Sequence, residues 1–164
     1  MGFKMWDESS AGEWRHRLQT LWLQHIPLAA AMQVEIRKLD AHGLQLAAPL
    51  DPNRNHIGTA FGASLQGLAT LAGWGVTLIT AAEHGSTRVV IRECHMRFRA
   101  PVTGELLATA VWPGPAPAAA FRDQLAAAGR ARLVVAVHIG APGEQAAARF
   151  SGEFLARHAP DAAG

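Results

Sequence analysis

The chain has 164 residues, 49% of them hydrophobic and only 17% charged, with 33 alanines, one cysteine and no tyrosine. That length accommodates a single domain with a sizeable core, and a lone cysteine excludes an internal disulfide, so a reducing, cytoplasmic setting is expected. The formal charge is +2, but the cations are 13 arginines against two lysines, which reflects either a GC-rich coding sequence or an acidic partner; the absence of a basic run, zinc spacing or RNA-binding aromatic pattern argues against nucleic acid.

Residues 1–13 carry acids and a tryptophan rather than the apolar stretch of a secretion signal, and Gly2 lacks the downstream Ser or Thr of a myristoylation site. Ser10 and Glu13 form a capping-box pattern, and Trp14, Leu18, Leu21, Trp22 and His25 or Ile26 recur at helical spacing. This predicts an amphipathic helix over about 10–26 that Pro27 ends. Val34, Ile36 and Leu39, a turn at 41–43, then Leu44 and Leu46 predict a β-hairpin, and Pro49 to Asn55 reads as a loop.

Between Arg54 and Glu83 there is no Asp, Glu, Lys or Arg. An uncharged run of that length satisfies the requirement for a membrane span. It also holds Gly58, Gly62, Gly67, Gly73 and Gly75 with Thr59, Ser64, Gln66, Thr70, Thr77 and Thr80, too many glycines and small polar residues for a lipid-facing helix. The expectation is therefore no membrane, and a helix over about 60–81 wrapped on most sides by protein.

Residues 88–99 are β-rich, and Pro101 with Gly104 turns them into a second run over 106–112. A proline-rich hinge at 113–117 leads to an alanine-rich helix over 118–128 closed by Gly129, then to strands at about 130–139 and 145–156. The tail from His158 is expected to fray. One wrapped helix with about six mostly antiparallel strands predicts a single α+β domain over 1–164, a curved sheet folded around the long helix.

Three stretches resemble the hotdog acyl-thioester enzymes: residues 55–64 (NHIGTAFGAS), 96–105 (MRFRAPVTGE) and 129–134 (GRARLV). With Leu71-Ala72-Gly73-Trp74, the pattern most resembles the thioesterase family typified by the C-terminal domain of YiiD proteins, over about 10–157. The resemblance implies a hotdog fold, a homodimer or homotetramer with a shared active site, and a substrate carried as a thioester of coenzyme A or acyl carrier protein. No cofactor is expected. Two arginine groups, Arg88, Arg92, Arg97 and Arg99, and Arg122, Arg130 and Arg132, suit the negative charge of both carriers.

A thioester enzyme must stabilise negative charge on the carbonyl oxygen, and neutral donors at a helix start do this well. Gly62 can offer its backbone N–H there, and the resemblance places a functional Asn at Asn55, whose alternative role is a loop cap. For Asn53 a turn role is expected. In the phenylacetate-type hotdog thioesterases, which this helix motif resembles, an HGG triplet opens the helix and a carboxylate nine residues after its His activates water. Here Phe61-Gly62-Ala63 replaces HGG, and the corresponding position is Thr70. Hydrolysis thus loses its usual base.

Decarboxylation needs only a held enolate oxygen and a dry pocket. Some members of the resembled family convert malonyl-ACP to acetyl-ACP, so that reaction ranks first, then thioester hydrolysis, then a non-catalytic carrier-binding module. His56 can activate water or cap the loop, and Ser64 and Thr70 can bond a carboxylate, a water or a backbone carbonyl. Phe61, Ala63, Arg97 and Arg99 are the substrate-binding candidates. Asp51 and Glu83 read as a turn residue and a solvated helix end. Cys94 and His95, adjacent on a strand, face opposite ways and cannot form a dyad. The eight histidines show no metal-ligand spacing, so no metal is expected.

Overall fold

Side-chain alternation decides which face of each strand meets the long helix. The computed structural model describes residues 8–141 and 143–159. Its helices are α1 (Ala11–His25), α2 (Pro27–Ala31), α3 (Gly62–Ala81) and α4 (Pro115–Ala128), and its strands are β1 (Glu35–Asp40), β2 (Gly43–Ala48), β3 (Thr87–Phe98), β4 (Leu106–Val111), β5 (Arg130–Ile139) and β6 (Ala148–His158). In β5, Ala131, Leu133, Val135, Val137 and Ile139 are buried and the residues between them exposed; β6 buries Ala148, Phe150, Phe154 and Ala156 in the same way.

The six strands pair antiparallel in the order β1-β2-β4-β5-β6-β3. α3 touches every strand from β2 to β6, so the sheet curves around it in the α+β arrangement expected of a hotdog fold. The stretch Gly62–His84 is long and apolar enough to cross a membrane, but 67% of its most apolar window is buried inside the protein.

Glycines let the helix sink into the sheet. A Cβ on Gly73 would lie 2.6 Å from the Phe154 ring, and one on Gly75 would lie 2.6 Å from Leu44 and 3.3 Å from Trp22. Gly43 opens β2 at φ +145, where a Cβ would meet the Ala110 carbonyl oxygen of β4; no side chain fits that hairpin corner.

Several boundaries differ from expectation, each for a local reason. A 3-10 turn at Glu8–Ser10 leads into α1, so Ser10 already has helical angles and its side chain makes no capping bond; the capping box does not form. The first seven residues of the N-terminal reading lie outside the described residues. Pro27 both follows α1 and opens α2, and Pro115 opens α4 inside the supposed hinge, because proline's missing N–H is no loss in a first helical turn. β6 begins at Ala148, after a turn that delivers the Ala147 N–H to the Ile139 carbonyl. His158 is paired rather than frayed: its N–H donates to the Gly129 carbonyl, and that of Ala159 to Ser86. Residues 160–164 of the expected tail lie outside the described residues.

The largest correction concerns α3 itself, which starts at Gly62 and is wrapped only in its second half. Residues Gly75–Ala81 are buried throughout, but in the first half Ala63 and Gln66 are exposed and Gly67, Thr70, Leu71 and Trp74 half-buried. These positions follow the i, i+3, i+4 rule and form one open stripe.

Candidate active site

The loop before α3 is built by two asparagines with different tasks. Asn53 is buried, and its amide donates to the carbonyls of Met32 (2.9 Å) and Pro49 (2.8 Å), tying the loop to the end of α2. Its own carbonyl accepts the Phe61 N–H at 2.7 Å. Asn55 instead organises residues 54–60, a small closed loop bracketed by a bridge between Arg54 and Ala60. Its Oδ1 accepts the N–H groups of Ile57 (3.0 Å) and Thr59 (3.1 Å), and its Nδ2 donates to Thr59 Oγ1 at 2.8 Å. Those partners fix the orientation of the amide and leave one of its two N–H donors without a partner among the described residues. Asn55 is therefore a loop organiser that still carries a fixed, neutral donor. Gly58, at φ +84, completes the turn by donating to the Asn55 carbonyl.

α3 begins without a cap. Phe61 is the N-cap residue and supplies no side-chain bond, and the first amides with acceptors are those of Ser64 and Leu65, both to the Phe61 carbonyl. The N–H groups of Gly62 and Ala63 have no partner among the described residues. Two open donors at the positive end of a 20-residue helix favour an oxyanion. A hollow of about 340 Å³ beside Gly62 is lined by Leu65, Phe98, Arg99, Pro101 and Val102. Phe98 stands 3.4 Å from where a Gly62 Cβ would be, and Phe61 and Ile57 are exposed nearby in sequence.

The open stripe of α3 lines a second hollow, a groove of about 430 Å³ shared with Ile26, Leu28, Ala29 and Met32 from the α1–α2 corner and Ile91 from β3. Gln66 and Thr70 are its polar side chains. Thr77 and Thr80 return their hydroxyls to the carbonyls of Gly73 and Val76, but Thr70 makes no such bond, and neither does the Ser64 hydroxyl. Gln66 reaches across to β3 and donates to Cys94 Sγ at 3.4 Å. No carboxylate and no imidazole lines either hollow.

The structure sets Phe61, Gly62, Ala63 and Ser64 at the start of α3, with Asn55 in the loop that leads into it and Thr70 farther along the groove. His56 is exposed on the 54–60 loop and has no hydrogen bond among the described residues. Arg99 lines the hollow at Gly62, whereas Arg97 lies on the outer face of the sheet. Asp51 pairs with Arg54 at 3.2 Å. Cys94 faces α3, and His95 faces outward opposite Ser151. Arg122 does not belong to a basic surface group: it is buried, donates from Nε to the Thr80 carbonyl and stands 3.9 Å from Glu83. Burial lowers its pKa and Glu83 opposes that shift. Arg132 pairs with Glu153 at 3.7 Å. Among the described residues no group of three or more His, Cys, Asp or Glu could hold a metal ion. Sequence reasoning passed over Gln66, Met32 and the α1–α2 corner, because an exposed Gln on an uncharged helix and a Met after a short helix carry no motif.

Solved structures with the same architecture include a protein of unknown function from Chlorobaculum tepidum, with a TM-score of 0.86 and 28% identity over 91% of this chain and 97% of that one. A putative thioesterase from Shewanella oneidensis matches with a TM-score of 0.75 and 26% identity, covering 90% of this chain and 99% of its own. A probable thioesterase from Pseudomonas aeruginosa shares the fold at 19% identity, with a TM-score of 0.73 over 87% and 94% of the two chains. The model of the family described as "Putative thioesterase (yiiD_Cterm)" matches residues 15–158, nearly all of the chain, which therefore belongs to that thioesterase family.

Proposed function

We propose that this protein acts on acyl thioesters of acyl carrier protein or coenzyme A, and that its reaction is decarboxylation of malonyl-ACP to acetyl-ACP. The observation that carries this reading is the pairing of open neutral donors with an acid-free surround. The Gly62 and Ala63 N–H groups can hold the thioester oxygen, with the spare Asn55 donor on the adjoining loop as a further candidate, while neither hollow beside α3 offers a group to activate water.

In the reaction the C2–carboxylate bond breaks and CO₂ leaves. The electron pair passes into the thioester, giving an enolate whose oxygen these donors stabilise. A proton delivered to C2, from water or through the Ser64 hydroxyl, completes the acetyl thioester. The largely apolar groove disfavours the substrate carboxylate more than the neutral CO₂. Incubation of the pure protein with malonyl-ACP, followed by intact-mass measurement, is expected to show loss of CO₂ with the acyl-carrier bond intact; free malonate or no change overturns decarboxylation. Family membership favours hydrolysis as the second reading, with His56 as its water-activating candidate. Thiol release from an acyl-CoA panel tests that alternative.

The site extends to a second copy in this reading. β3 is an edge strand of 12 residues paired only with β6, and it exposes Val90, Ile91 and Phe98. An unpaired edge of that length invites another strand. Pairing of two β3 edges would set Ile91 and the groove at the subunit junction. Ile91→Asp is expected to halve the apparent mass in sedimentation and to abolish turnover while the far-ultraviolet spectrum is retained. An unchanged dimer would count against this edge, and an active monomer against a shared site.

A further inference from the structure

The outer face of the sheet carries charge that the donors at α3 do not use. Strand register sets Arg97 of β3 opposite Arg149 of β6, and Arg149 opposite His138 of β5. Their chain neighbours Val137 and Phe150 are buried on the helix side, so these three side chains project outward. One pleat further along, His95 stands opposite Ser151 on the same face. These residues and Arg99 line a hollow of about 450 Å³. Neighbouring strands lie about 4.8 Å apart, so Arg97, Arg149 and His138 span about 10 Å across the sheet.

Among the described residues this charge has no ion-pair partner, although Asp40 and Glu144 line a neighbouring hollow with His138 and Arg149. Arg37, Arg54, Arg122 and Arg132 each stand within 4.0 Å of a carboxylate. Arg97, Arg99 and Arg149 form no ion pair and no side-chain hydrogen bond among the described residues. The nearest acids along the strands, Glu93 and Glu153, face one another, and Glu153 is taken by Arg132. A second copy of the same basic face would be repelled, so the surface suits an anion rather than self-association.

Position identifies the anion. Arg99 lines both this hollow and the one beside Gly62, so it is the cation the two have in common. The pantetheine arm of a thioester whose carbonyl sits at Gly62 ends in a phosphate, and Arg99 is within the lining of both hollows. We propose that the outer-face hollow binds the phosphate end of the carrier arm. Arg97 and Arg149 act as paired guanidinium forks from adjacent strands, and Arg99 is shared by the two sites. The inference rests on the acyl-thioester reading above. It commits to a phosphate ester, which coenzyme A and a carrier protein's arm both supply.

The test compares the protein with Arg97→Gln, Arg149→Gln and the double variant on one acyl group attached to pantetheine, coenzyme A or acyl carrier protein. Arg157→Gln, at the far end of β6, serves as the control. Each hollow substitution is expected to raise KM for a phosphate-bearing thioester about tenfold, to leave acyl-pantetheine unchanged and to flatten the salt dependence of KM. A rise for only one of the two phosphate-bearing substrates identifies the source. Equal losses on all three substrates, or none on any, overturn the site. Calorimetric binding of coenzyme A and of holo-acyl carrier protein provides a readout independent of turnover. Binding that Arg97→Gln and Arg149→Gln weaken, without turnover of any thioester, keeps the site and refutes the reaction; turnover insensitive to both variants keeps the reaction and refutes the site.

Discussion

Asn55→Ala is expected to lower kcat/KM on the thioester substrate by about 10²–10³-fold, the usual effect of removing one donor to a developing oxyanion. The same substitution removes the acceptor of the Ile57 and Thr59 N–H groups and the donor to Thr59 Oγ1, which costs about 1 kcal/mol of local order. A rate loss alone therefore does not separate a donor role from a loop role. Asn55→Asp does. Its carboxylate still accepts both backbone N–H groups, and the Thr59 hydroxyl can turn to donate to the second oxygen, so the loop keeps its shape. The donor disappears and a negative charge takes its place where negative charge must develop. Asn55→Asp is expected to melt within a few degrees of the parent and to be as inactive as Asn55→Ala; retention of activity by the Asp variant would reduce Asn55 to loop architecture.

The two asparagines also show what the sequence can and cannot deliver. Asn53 and Asn55 share one polar loop, and composition marks both as turn residues. Which of them faces Met32 and Pro49 inside the protein depends on where α2 ends, a non-local outcome. The long helix was legible because a charge-free run leaves few other places to put it. Its open stripe was not: Ala63, Gly67 and Thr70 are small enough to sit comfortably on either side of a surface, so their types do not reveal which face lacks a neighbour. The basic hollow is less legible still. Arg97 and Arg99 are close in sequence, but Arg149 and His138 join them only through the β3–β6 and β5–β6 registers. Arg122, grouped by sequence with Arg130 and Arg132, turns inward because α4 lays it over the end of α3, where the Thr80 carbonyl receives it. Local patterns fixed the elements, whereas long-range pairing decided which side chains share a site.

Gly73→Val is expected to destabilise the protein by about 3 kcal/mol, a fall in Tm of about 6–12 °C for a chain of this size. The Phe154 ring lies in a slot between two glycines on facing elements, Gly73 of α3 and Gly152 of β6. A Cβ would stand 2.6 Å from the ring on the first and 2.9 Å on the second. Relief cannot come from a small shift of the helix, because Gly75, two residues on, would then lose its fit against Leu44 and Trp22. Gly73→Ala sets two effects of known sign against each other. Alanine gains about 1 kcal/mol of helix propensity, and the ring contact costs about 1–3 kcal/mol, so with Phe154 in place the clash wins or cancels. In a Phe154→Leu background the ring is gone and only the propensity gain remains, so Gly73→Ala is expected to turn stabilising, a coupling of about 1–2 kcal/mol in a thermal-melt double-mutant cycle. Equal costs in both backgrounds would show that the ring is not what excludes a side chain at this position. The glycines that make the charge-free run look unlike a membrane helix would then need a cause other than the close seat of α3 on its sheet.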